Sequence, residues 1–189
     1  AGLKAIEETA KIVPIPDGRG PNRERFLSEA LPHTNALYRM ALRTSRDAHL
    51  AQDLVQETYK EAWKSFKNYH PGTNCRAWLF KILMRVTQHQ SRKNRRYLRV
   101  KLEDVPERRL VAVSTAEDDL RRAEILELVS GIPEKYRTVL LLADVEGLSY
   151  KEVAETLEIP LGTVMSRLNR ARNILRERFI DLMGNVQTA

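Results

Sequence analysis

SYKEVAETLEIPLGTVMSRLNRARNILR, residues 149–176, sets Val153, Ala154, Leu157, Ile159, Val164 and Leu168 as the apolar skeleton of two helices packed across a tight turn. Ala154 is small where the second helix must approach closely. Glu158 to Gly162 supply the turn, and Gly162-Thr163 opens the helix that follows. That helix is expected to bury Val164, Leu168, Ala171 and Leu175, at spacings of four, three and four. Its other side offers Met165, Ser166, Asn169 and Arg170, with Arg167 and Arg172 nearby. A helix that exposes arginine and short polar groups can enter a DNA major groove, where arginine reads guanine edges and also grips phosphate. The competing reading is an ordinary helical hairpin with a solvated basic face. Because skeleton, turn and basic face coincide, DNA binding is the stronger of the two.

Working upstream, residues 133–145 read as a helix ending before Gly147, residues 120–130 as another, and residues 149–157 as the first helix of the pair just described. Pro133 and Pro160 are expected in first helical turns. Residues 102–118 carry Pro106 and the acids Glu103, Asp104, Glu107, Glu117 and Asp118 without helical periodicity, which marks a linker. Before it, helices are expected from Glu24, broken or kinked at Pro32, then over residues 48–66 and 76–95, with residues 68–75 as a loop. Residues 1–22, with Pro14, Pro16, Gly18, Gly20 and Pro21, read as a flexible arm.

Charge is distributed unevenly along this frame. The 189-residue chain has a formal net charge of +7, which makes an acidic partner such as nucleic acid the first expectation. Residues 64–101 contain eleven Lys or Arg and no Asp or Glu. A solvated face normally mixes signs, so this run suggests phosphate contact, and Tyr69, Trp78 and Tyr97 within it could stack on unpaired bases. Trp78 shares helical spacing with Ile82, which favours a core role for it. The opposite sign appears at Asp53, Glu57 and Glu61, one helical turn apart, outside an inward-facing Leu54. A protein-docking face or a plain solvated face fits this stripe better than catalysis or a metal, because no His or third ligand stands at a supporting spacing. His33, His49, His70 and His89 form no ligand motif, and there is no phosphate-cradling glycine loop or nucleophile elbow. Neither an enzyme nor a metal or other cofactor is expected. The single cysteine, Cys75, excludes an internal disulfide and fits a reducing cytoplasm. No apolar run approaches the ~18 residues of a membrane span, and no secretory signal is evident.

These signals occur in a recognisable order. AHLAQDLVQETYKEAWKSF, GTNCRAWLFKIL and SRKNRR, within residues 48–96, resemble sigma region 2. GIPEKYRTVLLLADVEGLSYKEVAETL and PLGTVMSRLNRARNILR, within residues 131–176, resemble sigma region 4. With no equivalent of regions 1.1 or 3, the layout is that of the extracytoplasmic-function RNA polymerase sigma factors of the sigma-70 family. The GTN, DVEG, YKE and GTVMSRL details are most similar to the thiol-oxidative-stress branch. The resemblance implies an all-α fold of two small helical domains joined by a flexible linker. The segments would be an arm (1–22), a region 2 domain (23–101), the linker (102–118), a helix-turn-helix region 4 domain (119–183) and a tail (184–189). It implies that Asp53, Gln56 and Glu57 dock on core RNA polymerase. Gly72, Thr73, Asn74 and Arg76, with Arg92, Lys93, Arg95 and Arg96, would meet the −10 promoter element as single strands. Met165, Ser166, Arg167, Asn169, Arg170 and Arg172 would meet the −35 element. The departures are Met165, where many members carry Lys or Arg, and residues 87–91, which lack the common Asn and Asp pattern. The implied role is promoter-specific initiation in a stress response, in the cytoplasm, under an anti-sigma factor. The rival is a stand-alone helix-turn-helix regulator, which should bind promoters without polymerase.

Overall fold

The computed structural model describes the backbone of residues 21–98 and 128–186, with side chains for 22–92 and 128–181. Most of the arm, the linker, most of the helix expected at 120–130, the side chains of Lys93, Arg95 and Arg96, and residues 187–189 of the tail lie outside the described residues. Every regular element among the described residues is helical. The chain divides into two compact units between Arg108 and Arg109, inside the segment read as a linker.

The described residues of the first unit form four α-helices: α1 (Pro21–Ala30), α2 (Thr34–Ser45), α3 (Ala48–Ser65) and α4 (Cys75–Leu98). Pro32, which has no N–H to donate, sits in a 3-10 turn, Leu31–His33, that separates α1 from α2 where the sequence called for a break. The α2 helix stops as Arg46 turns left-handed (φ 56°), and its N–H is donated to the Leu42 carbonyl at 2.8 Å. One residue later Asp47 caps α3, its carboxylate accepting from the N–H of His49 and Leu50 at 2.9 and 3.0 Å.

What α3 buries fixes what it exposes. Ala51, Leu54, Val55, Tyr59 and Ala62 face inward, and Tyr59 is 1% exposed. Its hydroxyl donates to the Ala30 carbonyl at 3.0 Å and lies 2.7 Å from the Thr34 hydroxyl. The end of α1 and the start of α2 are thereby tied to α3. Burial pushes the Tyr59 phenol well above its ordinary pKa, so it stays a neutral donor. Phe26 meets Tyr59, Trp63 and Phe66 edge-on at ring separations of 6.3, 5.1 and 5.0 Å, the arrangement the ring quadrupole favours. The aromatic chain continues from Phe66 to Tyr69 (5.5 Å) and on to Trp78 (4.9 Å). Trp78 is therefore half-buried at the edge of the core, as its spacing with Ile82 suggested, while Leu79, Phe80 and Leu83 fill the interior.

The second unit holds α5 (Glu134–Leu140), a π-helical turn (Leu141–Val145), α6 (Tyr150–Leu157) and α7 (Leu161–Val186). Pro133 and Pro160 stand immediately before α5 and α7 rather than inside their first turns. Each still pre-sets the entering backbone without leaving a helical N–H unmatched. The π turn ends as the Leu148 N–H reaches back to the Leu142 carbonyl at 3.0 Å across Gly147, whose φ of +67° favours glycine. Ser149 and Glu152 form a reciprocal capping box at the start of α6. Val153, Val164, Leu168 and Ala171 are buried at 2% exposure or less, with Val139 and Leu142 from the α5 side. Leu175, expected in this core, is only half-buried, and so are Ala154, Leu157 and Ile159. The apolar stripe of α7 is thus less deeply buried past Ala171.

Candidate functional site

Three surfaces carry the residues singled out in the sequence. The first lies on α3. Asp53 and Glu57 are exposed and Gln56 is half-buried, opposite the buried Leu54 and Val55. The stripe is partly neutralised by its own helix, since Lys60 reaches Glu57 at 3.2 Å and Lys64 reaches Glu61 at 2.5 Å. It also forms one wall of a cleft of about 770 Å³ whose other wall is α4, through Arg85, Val86, His89 and Gln90. Sequence reasoning missed that second wall. Arg85 and His89 are one turn apart, but nothing in their spacing tells which helix they face.

The second surface is the turn before α4. Gly72 takes φ +83°, with open space where a side chain would stand, so conformation rather than crowding calls for glycine there. The Thr73 hydroxyl donates to the His70 carbonyl at 2.7 Å, and the Tyr69 hydroxyl donates to the Thr73 carbonyl at 2.8 Å. Asn74 Oδ1 accepts the Ala77 N–H at 3.2 Å, capping α4. Gly72, Thr73 and Asn74 are all exposed, Arg76 lies with its guanidinium 5.7 Å from the Phe80 ring, and Arg92 is exposed farther along α4. His33, packed near Arg76, has its pKa lowered by burial first and by that positive charge second. Cys75 begins α4 and is buried, and burial pushes its thiol up to about 11. It is a protonated packing group at neutral pH rather than a reactive thiolate.

The third surface is α7. Met165 (52% exposed), Ser166, Asn169, Arg170 and Arg172 are exposed along α7, and Arg167 is half-buried. Arg172 behaves differently. Its Nε and one terminal nitrogen donate to the two carboxylate oxygens of Asp144 at 3.0 and 2.7 Å. Asp144 and the Tyr150 hydroxyl raise the Arg172 pKa above its already high ordinary value. A shallow hollow of about 330 Å³ beside this pair is lined by Tyr150, Met165, Asn169, Asn173 and Arg176. Among the described residues no cluster of His, Cys, Asp or Glu could hold a metal ion, and no helix is long and apolar enough to cross a membrane.

Comparison with known proteins matches both units. Residues 31–97 match the family described as Sigma-70 region 2, and residues 122–175 match Sigma-70, region 4. The chain is 36% identical over 154 residues to the ECF RNA polymerase sigma factor SigE of Mycolicibacterium smegmatis, a match covering 77% of this chain and 58% of that protein. It is 30% identical over 158 residues to the ECF RNA polymerase sigma factor EcfG of Rhodopseudomonas palustris, covering 82% of this chain and 85% of that one. Among solved structures, the sigma factor RpoE of Bartonella quintana, in complex with the anti-sigma factor NepR, superposes with a TM-score of 0.73 at 31% identity. That match covers 82% of this chain and 97% of RpoE.

Proposed function

Since the chain belongs to the extracytoplasmic-function sigma factors of the sigma-70 family, which direct transcription initiation and are not enzymes, we propose that its three surfaces divide that task between core polymerase, the −10 element and the −35 element. The observation that carries this reading is α7. Val164, Leu168 and Ala171 anchor it at 2% exposure or less, while Met165, Ser166, Asn169 and Arg170 are left open on the other side. A helix held rigidly by one stripe and free along the other can enter a major groove and offer arginine and amide groups to base edges.

On α3, Asp53, Gln56 and Glu57 dock on core polymerase, with the acids supplying a face for a basic helical partner. The turn at Gly72 to Asn74, Arg76, and the basic end of α4 with Arg92, Lys93, Arg95 and Arg96 hold the melted −10 strand, the cations gripping phosphate and the turn approaching a base. Each contact is weak alone. Polymerase holds both units on one promoter, which makes the second contact effectively intramolecular. An anti-sigma factor regulates the protein in the cytoplasm by covering these surfaces, as the NepR complex of the RpoE relative suggests by analogy. The GTN, DVEG, YKE and GTVMSRL details support placement near the thiol-oxidative-stress branch. With Cys75 buried and protonated, thiol sensing in that setting belongs to the regulator rather than to this chain.

Multi-round transcription with purified core polymerase tests the whole reading. Promoter-specific transcripts should require both core enzyme and this protein. Tight, selective promoter binding by the free protein, with no gain in transcription on adding it to core, would point instead to a stand-alone regulator.

A further inference from the structure

Arg172 lies at the edge of the open face of the recognition helix, but its guanidinium is committed to a partner within the protein. At about 100° per residue, Arg172 projects roughly 80° from the buried Val164, on the flank of the packed stripe. By the same count Met165 projects roughly 100° from Val164, and Ser166 and Asn169 roughly 140–160°, so Arg172 borders the open face rather than standing at its centre. From that flank the guanidinium reaches the segments before α7 in the chain. Asp144, 28 residues earlier, takes it with both oxygens at 3.0 and 2.7 Å. Tyr150, at the start of α6, adds its hydroxyl.

Asp144 is itself firmly placed. It belongs to the π turn, whose exit is pinned by the Glu146 N–H on the Leu141 carbonyl at 2.9 Å and the Leu148 N–H on the Leu142 carbonyl at 3.0 Å. A planar guanidinium bound by both carboxylate oxygens resists rotation in a way that a single contact does not. No hydrogen bond or ion pair of this kind is found for Arg167 or Arg170 among the described residues.

We infer that Arg172 and Asp144 are positioning residues, a strut that sets the rotation of α7 against the π turn so that Met165, Asn169 and Arg170 meet base edges in one register. This rests on α7 being the −35-reading helix and changes the part that Arg172 plays in it. A base-reading arginine governs one base position. A strut governs all of them, because a small rotation of the helix moves every reading side chain together.

The test uses holoenzyme made with the full chain and a promoter library randomised across the −35 element, scored by transcript abundance. The variants are Asp144→Asn, Arg172→Gln and the pair combined, each checked for an unchanged melting temperature. Asp144→Asn should weaken base preference at every −35 position together, by about three- to tenfold. Arg172→Gln should give the same profile, and the double variant should be no worse than either single one, as expected for two halves of one contact. Loss of preference at one position in Arg172→Gln, with Asp144→Asn unchanged, would make Arg172 a direct reader and overturn the strut. So would a wild-type profile for Asp144→Asn. Absence of any −35 preference in the wild-type holoenzyme would remove the recognition-helix reading itself, and the strut with it.

Discussion

Reversing the charge of Asp53 and Glu57 together, as Asp53→Lys with Glu57→Lys, should abolish most of the affinity for core polymerase while leaving the first unit folded. The two costs can be separated from the structure. Glu57 loses its pair with Lys60, a contact between side chains 48% and 47% exposed. An exposed i,i+3 pair is worth about 0.3–0.5 kcal/mol, and the new like-charge neighbour costs about as much again. The total stays below ~1 kcal/mol, which for a domain of this size lowers the melting temperature by no more than about 4–8 °C. The inward side of α3, where Tyr59 is tied to Ala30 and Thr34, is untouched. Binding should suffer far more. Two acids facing a basic partner become two cations, and like charges brought together at an interface cost several kcal/mol. A loss of ~3 kcal/mol is already more than about 100-fold in Kd. Fluorescence anisotropy of labelled protein titrated with core enzyme, beside a thermal melt of each variant, reads both numbers. The difference between wild type and variant should shrink as salt is raised, because exposed charges are screened over ~10 Å at 0.1 M. Affinity for core within threefold of wild type, in a variant that melts normally, would remove α3 as the docking face.

Three further outcomes follow from the other surfaces. Asn74→Asp keeps the oxygen that caps α4 and removes the amide donor, so it should melt like wild type and shift preference at one −10 position. Asn74→Ala should cost about 1 kcal/mol of stability, and unchanged −10 preference in both variants would leave the residue as a cap alone. Arg170→Ala, at an exposed position, should lose ~1–3 kcal/mol at one −35 base pair if it reads an edge, and act on all sequences alike if it grips phosphate; footprints identical to wild type would exclude both. The Cys75 thiol, raised to about 11 by burial, should alkylate slowly at pH 7–9 and much faster in denaturant. Its share of stability is complete below the ordinary thiol pKa of 9.0 and is lost as pH rises through about 11, because the unfolded thiol ionises first. Rapid modification of the native protein at neutral pH would show the thiol to be accessible.

The helices were legible because punctuation and periodicity agreed. Pro32 marked a real interruption, the helix expected from residue 48 begins there, and the 164, 168, 171 spacing became the buried stripe of α7. Local rules suffice where the partner of a residue lies within one turn. They failed where the partner lies far along the chain. Arg172 belongs by spacing to the basic side of α7, and only the fold brings Asp144 to it. Arg85 and His89 were lost in a run of like charge, and only the packing of α4 beside α3 turns them toward the acidic stripe. Leu175 fits the helical period but is only half-buried.

The π turn at Leu141–Val145 makes the second unit sensitive to a kind of change that alters neither its charge nor its hydrophobicity. A π turn accommodates one residue more than an α-helical turn closing on the same endpoint. Deleting a single residue such as Ala143 would let that stretch relax to α-helical pitch on the same endpoint, whereas a deletion within a regular helical turn would rotate whatever follows by roughly 100°. Val139 and Leu140 would keep their place, and the change would fall on the bulge that carries Asp144. Length at this point, counted in single residues, is therefore as much a part of the recognition surface as the identity of the side chains on α7.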